Sequence, residues 1–238
     1  ALLAMNENIL YIVAGPIGNL EDITFRAVKT LKEASFIMCE DTRQSKKLLD
    51  HYEITGKKLY SFHSHSKDNS LSFFIDRIKT EGSAAYLTDC GTPGISDPGS
   101  KLASEARKNG IKVIPLPGAS ALTTIASVAG FAGKEIYFGG FLSKKPGRRI
   151  NELNAIRRIS ATIIIYESPH RIIKTLTALA EVFPENQILI GREISKIHEE
   201  FITGTAKSIL ESKLTEKGEF AIAIDNNDPK NTDEDDEI

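Results

Sequence analysis

Three short stretches gather side chains able to move protons or grip anions. Residues 40–43 read EDTR, with Glu40, Asp41 and Arg43 directly after an apolar run. Residues 167–171 read ESPHR and place Glu167, His170 and Arg171 after another. Residues 192–200 read REISKIHEE and add Arg192, Lys196, Glu199 and Glu200. A fixed carboxylate or amine can draw the proton from a weak nucleophile such as a hydroxyl, whereas arginine and histidine suit phosphate and orientation. The candidates for base or orienter are therefore Asp41, Glu40, Glu199, Glu200 and Lys196. Arg43, His170 and Arg171 are better suited to holding phosphate or orienting a substrate. Asp41 and Arg43 are expected beside the reacting group, because EDTR closes a strand. Any one of these residues is also explained as a helix cap or surface ion pair, and His198 as a plain exposed histidine. Their recurrence at strand ends points to a charged cleft.

The other loops carry backbone rather than side chains. GPIGN (15–19) has neither the GxGxxG spacing of a dinucleotide turn nor the GK[ST] of a phosphate loop. Pro16 removes an N–H where a phosphate cradle wants several. TDCGTPGISDPG (88–99) packs Gly91, Gly94 and Gly99 with Pro93 and Pro98 into twelve positions. Such a stiff loop with little side-chain bulk is a structural turn or a surface for a flat ligand such as adenine. PGASA (117–121) is a third small-residue loop. SKKPGRRINELNAIRR (143–158) sets Lys144, Lys145, Arg148, Arg149, Arg157 and Arg158 against one acid, Glu152. It reads as a solvated charged face or as a contact surface for a phosphate backbone.

All these loops follow short apolar runs. ILYIVAG (9–15), SFIMC (35–39), KLYSF, SAAYLT and IKVIPL read as buried strands and alternate with helical segments. In ITFRAVKTLKEA (23–34), Phe25, Val28 and Leu31 share one helical face, with Asp22 or Thr24 as cap. The alternation resumes after PLPGASAL with strands EIYFGGF, ATIIIYE, QILIGRE and EFAIAID. This predicts an α/β chain of two lobes, 1–117 and 118–224, with ligands at the carboxyl ends of strands. Of the 238 residues, 30 are basic and 32 acidic, a net charge of -2. Residues 225–238 hold seven acids and one base, leaving 29 bases and 25 acids before them, a net of +4. That tail is expected to be disordered, and the mildly basic body allows a polyanionic partner. No apolar run is long enough for a membrane span, and the N-terminus lacks a basic leader. Cys39 and Cys90 form no metal-ligand pattern and read as reduced thiols of a cytoplasmic protein.

Taken together, the loops resemble the tetrapyrrole-methylase superfamily, and more closely its branch of small-subunit ribosomal RNA cytidine 2′-O-methyltransferases. The matching elements are LYIVAGPIGNLEDIT (10–24), CEDTR (39–43), TDCGTPGISDPG (88–99), PLPGASAL (115–122), GGFLSKK (139–145), YESPHRI (166–172) and GREISKIHEE (191–200). They run in the family's order over nearly the whole folded chain. Two positions depart from the pattern: Gly15 stands where a threonine is usual, and Cys90 where an alanine is. The resemblance implies a two-lobed fold, an N-terminal mostly parallel sheet and a C-terminal mixed sheet, with an S-adenosylmethionine pocket between the lobes. Mapped onto this chain, the cofactor contacts are Pro16, Asp89, Cys90, Gly91, Ile95, Ser120, Ala121 and Glu167. The implied partners are ribosomal RNA, contacted through Lys144, Lys145, Arg148, Arg149, His170 and Arg171, and a second copy of the chain; no metal is implied. Two rival readings remain: a methyltransferase for a porphyrin-like small molecule, and a non-catalytic RNA-binding or assembly factor. The missing phosphate loop disfavours a nucleotide hydrolase.

Overall fold

Five of the apolar runs become one wholly parallel sheet. The strands are β1 (Ile9–Val13), β2 (Phe36–Cys39), β3 (Lys58–Ser61), β4 (Ser83–Leu87) and β5 (Lys112–Leu116), in the order β3-β2-β4-β1-β5. Helices α1 (Phe25–Glu33), α2 (Thr42–His51), α3 (Asp68–Glu81) and α4 (Gly99–Lys108) connect them. The computed structural model describes residues 7–63, 68–89, 91–131 and 133–227. The chain divides into two compact units, Ala1–Ser120 and Ala121–Ile238.

The period-two alternation of the strands builds a core on each face of this first sheet. Leu10, Phe36, Met38 and Tyr86 meet α3 and α4 through Phe74, Ile78 and Leu102. Val13, Ile37, Ala85 and Leu87 meet α1 and α2 through Ala27, Leu31, Leu48 and Leu49. The adjacent strands β1 and β4 therefore send their connections to opposite faces, the condition that opens a crevice at their carboxyl ends. Helix α1 departs from the expected pattern. Thr24 is its cap, but Phe25 is 97% exposed and the buried stripe is Ala27, Thr30 and Leu31. Phe25 precedes Ala27 by two positions, about 200° around the helix, so it cannot share that face.

The second unit is a mixed sheet of β6 (Ile136–Phe141), β7 (Ala161–Glu167), β8 (Ile188–Arg192), β9 (Glu200–Gly204) and β10 (Phe220–Asn226), ordered β6-β7-β10-β8-β9. Only β6 and β7 are parallel. One face carries α6 (Pro146–Arg157), α7 (Ile172–Val182) and α8 (Ala206–Glu211) over Ile163, Ile165, Ile190 and Ile222. Helix α5 (Ala121–Ala129) also packs on the sheet, chiefly against β10. Strand β9 has no counterpart among the predicted strands, because half of EFITG faces solvent at a sheet edge. Strand β10 also runs one residue past EFAIAID and two past the expected lobe boundary at 224. Asp225 and Asn226, assigned to the tail on charge, complete it, and Asn226 is buried with its amide donating to the Arg157 and Ile159 carbonyls. Ala1–Ala4 and the remainder of the acidic tail, residues 228–238, lie outside the described residues. Among the described residues no helix is long and apolar enough to cross a membrane.

Candidate active site

The carboxyl edge of the first sheet is knitted together by backbone. Gly91 takes φ +86°, and its carbonyl accepts from Gly15 N at 3.1 Å and from Thr88 Oγ1 at 2.9 Å. A Cβ at Gly91 would lie 2.7 Å from both Ala119 O and Ile17 Cγ2. Thr92 Oγ1 donates to Ala119 O at 2.9 Å, so the loops after β1, β4 and β5 close on one another. Asp97 shapes the far end of the β4 loop, its carboxylate accepting from Gly94 N and Gly99 N, each at 2.7 Å. Of the expected cofactor contacts, Pro16 and Asp89 are half-buried here, Gly91 and Ser120 are buried, and Ile95 is exposed. Cys90 lies outside the described residues. Ala121 opens α5 of the second unit, and Glu167 ends β7 of that unit.

Four carboxylates gather at this edge, and their environments push them apart. Asp41 caps α2: its Oδ1 accepts from Arg43 N at 2.8 Å, and Arg43 Nη2 lies 2.8 Å from Oδ2. The Arg43 hydrogen bonds hold the Asp41 carboxyl down at about 2. Glu40 moves the other way, to about 7, raised by burial and then by the charges of Asp97 and Asp89. Asp89 is raised by burial and by Asp41, against a backbone hydrogen bond from Asp41. Burial likewise lifts the Cys39 thiol to about 11, which keeps it protonated and inert. Glu40 exchanges its proton near neutrality, where a base is most effective.

The candidates in the second unit are engaged in ion pairs and hydrogen bonds. Lys196 Nζ bridges Glu193 Oε1 at 2.9 Å and Glu219 Oε2 at 2.8 Å. Burial works against its charge, but Glu219 and Glu193 outweigh it and hold the ammonium protonated. Glu199 Oε2 accepts from Ser195 N at 2.7 Å, and Arg192 Nε donates to Glu200 Oε2 at 2.8 Å. The Glu167 side chain is fully sealed from solvent. It accepts from Ser168 N at 2.7 Å and from Thr175 Oγ1 at 2.6 Å, and it pairs with Arg171 at 3.2 Å. Arg171 Nη2 in turn donates to Leu142 O at 2.6 Å. Lys144, Lys145 and His170 are exposed, as is Arg148, which pairs with Glu152. Arg149 is buried at 5% exposure. Sequence reasoning missed the roles of Thr175 and Asp97. Asp97 stands within the stiff 88–99 loop, but nothing local shows its charge acting on Glu40 or links Thr175 to Glu167.

A profile of the Tetrapyrrole (Corrin/Porphyrin) Methylases matches residues 9–210. The chain belongs to this family. It is similar to the ribosomal RNA small subunit methyltransferase I of Leptospira biflexa, 40% identical over 219 residues, covering 92% of this chain and 91% of that protein. The Bacillus subtilis protein of the same name is 40% identical over 233 residues, covering 96% and 79% respectively. Among solved structures, a cobalt precorrin-4 methyltransferase superposes with a TM-score of 0.69 at 15% identity, over 96% of this chain and 100% of that one. A Thermus thermophilus uroporphyrin-III C-methyltransferase complexed with S-adenosylhomocysteine gives 0.64 at 16%, over 90% and 96%. These structural likenesses show the tetrapyrrole-methylase fold. The family is one of S-adenosylmethionine-dependent methyltransferases. The edge of the first sheet fits such a donor: Glu40 and Asp89 are half-buried carboxylates raised by burial and neighbouring negative charge. They suit a ligand that brings sulfonium and ammonium charge.

Proposed function

We propose that this protein methylates the 2′-hydroxyl of a cytidine in small-subunit ribosomal RNA. The observation that carries the reading is the 40% identity, along nearly the full length of both chains, to a protein named for that RNA. S-adenosylmethionine, when bound, supplies an electrophilic methyl carbon. The loops after β1, β4 and β5 hold the donor through backbone groups of Pro16, Gly91, Ile95 and Ser120. Asp89 faces its positive charge. Their mutual bonding keeps the loops in one arrangement, so orientation costs little at the moment of reaction. Glu40 takes the hydroxyl proton, a role its position near neutrality favours over Asp41. Asp41 with Arg43 fixes the start of α2 and so the Glu40 backbone. A positioned base contributes roughly 10²–10⁴-fold. Lys196 and Glu199 shape the loop after β8. Lys144, Lys145, Arg148 and His170 contact the RNA backbone, and Arg149 and Arg171 support the segment that presents them. The protein acts in the cytoplasm as a homodimer.

The test is transfer of a labelled methyl group to small ribosomal subunits and to their naked RNA, followed by nuclease mapping. Label in a ribose-methylated cytidine is the expected result. Label in a base, or transfer only to a porphyrin-like acceptor, refutes it. Glu40→Gln should lower turnover at least a hundredfold, the bottom of the general-base range, whereas Asp41→Asn, which preserves the cap, should cost far less. Light scattering checks the dimer.

A further inference from the structure

The junction of β6 and α6 concentrates positive charge that the fold leaves uncompensated. Leu142 and Ser143 are gripped from several sides. Glu152 Oε2 accepts from Ser143 N at 2.8 Å, Arg171 Nη2 reaches the Leu142 and Ser143 carbonyls, and Arg149 Nη1 touches Ser143 O only at the limit of 3.5 Å. Glu152 also pairs with Arg148, and Glu167 with Arg171. Two carboxylates thus serve Lys144, Lys145, Arg148, Arg149 and Arg171. Arg149 is the anomaly: it is 5% exposed, pairs with no carboxylate among the described residues, and its Nε is buried without a partner. A buried cation without a counter-charge is costly, and the cost is relieved when an anion arrives beside it.

The same place offers an anion what it needs. Helix α6 starts at Pro146 with Lys145 as N-cap, no side chain caps it, and its first turn holds no acid. Pro146 has no N–H, Lys145 N donates to Ser143 Oγ at 3.3 Å and Arg149 N to Lys145 O at 3.0 Å, so the Gly147 and Arg148 amides present the positive end of this twelve-residue helix. A Cβ at Gly147 would meet nothing within 4 Å, so the space over this turn is open. Arg149 sits one turn in, its guanidinium directed back to Ser143 at the helix entrance.

We infer that the N-terminus of α6 is a seat for one phosphate group, bound by the free helix amides, flanked by Lys144 and Lys145, and charged from beneath by Arg149. Resting on the proposed function, its natural occupant is a backbone phosphate of the substrate RNA. Arg149 is then a positioning residue, acting through the field under the seat rather than by contact.

Two variants of the full chain test this. Arg149→Met removes the charge at similar volume. Gly147→Glu places an acid over the seat, where a carboxylate suits the helix dipole and leaves the fold unharmed; it carries the test alone if Arg149→Met does not fold. Inorganic phosphate should raise the melting temperature of the wild type and of neither variant. Binding of a naked small-subunit RNA fragment should weaken in both, and the slope of log K against log[salt] should shrink by about 0.7–0.9. Gly147→Glu should melt at or above the wild type without phosphate, which a purely structural role for this turn does not predict. Equal stabilisation of all three proteins by phosphate overturns the seat. Protection by phosphate with an unchanged RNA slope overturns RNA as its occupant and leaves free phosphate. Wild-type methyl transfer separates the two readings. Transfer to ribosomal RNA with Gly147→Glu indistinguishable in both binding assays overturns the seat alone. Phosphate protection without any transfer supports the seat while removing the proposed activity.

Discussion

Two glycines in one loop allow a clash to be measured free of backbone strain. Gly91 and Gly94 have nearly the same left-handed φ, +86° and +89°. An alanine at either pays the left-handed penalty of about 1–2 kcal/mol and gains the same small entropy benefit from a stiffer unfolded chain. Their surroundings differ. At Gly94 the nearest atom to a new Cβ is Ser100 N at 3.5 Å, ordinary contact; at Gly91 it is the Ala119 carbonyl oxygen at 2.7 Å. Backbone cannot swing aside as a side-chain tip can, so Gly91→Ala adds an overpacking cost of about 1–3 kcal/mol. The strain cancels in the difference. With a urea m-value of about 2 kcal/mol/M, the two midpoints should lie about 0.5–1.5 M apart, Gly91→Ala the lower. The chain has no tryptophan, so circular dichroism is the signal. Only Gly91→Ala should also lose S-adenosylmethionine affinity, because its shift parts the β1, β4 and β5 loops. Coincident midpoints would refute the packing argument.

Three further outcomes follow from single groups. The folded Glu40 carboxyl titrates at about 7 against its ordinary 4.5, so the folded state holds the extra proton and stability falls as pH rises from about 4.5 to about 7. Glu40→Gln should flatten that slope, by on the order of 1 kcal/mol after solvent screening, in denaturation curves taken across this range; an unchanged slope excludes Glu40. Thr175→Val removes the 2.6 Å hydrogen bond to the sealed Glu167 and should cost about 1.5–3 kcal/mol in thermal unfolding. Tyr86→Phe should act in the opposite direction. Among the described residues the Tyr86 hydroxyl is buried without a partner, and its removal should raise the stability by about 1 kcal/mol; a lower denaturation midpoint would mean that the hydroxyl is bonded.

The legible parts of this protein are those governed by local chemistry. Strand β1 was readable from ILYIV because both faces of a parallel strand are buried, and Thr24 from its position before a helical run. The loop 88–99 announced itself through glycine and proline. Side-chain partners distant in sequence were not legible. EFITG reads as a half-polar segment because β9 is an edge strand, and Phe25 fits a helical face on paper while pointing into solvent. Arg149 looks like any member of its basic run, and only the packing of α6 buries it. The same limit applies to Glu40 and Asp41. Adjacent carboxylates are equivalent in sequence, and their separation to about 7 and about 2 depends on burial, with the charges of Asp97 and Asp89, on one side and the hydrogen bonds of Arg43 on the other.

The position of β1 in the first sheet sets the order in which this site can come into being. Its hydrogen-bonded neighbours are β4 and β5, and it pairs with neither β2 nor β3. A chain emerging from synthesis therefore carries β1 with both edges open until Ser83–Leu87 arrives. The bond from Gly15 to Gly91 closes later still. Long-range pairing of this kind is slow and leaves apolar edges exposed. The loops proposed to hold the donor are thus among the last features of the first unit to assemble. A truncated or stalled chain ending before residue 83 would carry EDTR and its helix yet lack the loop that is proposed to hold the donor.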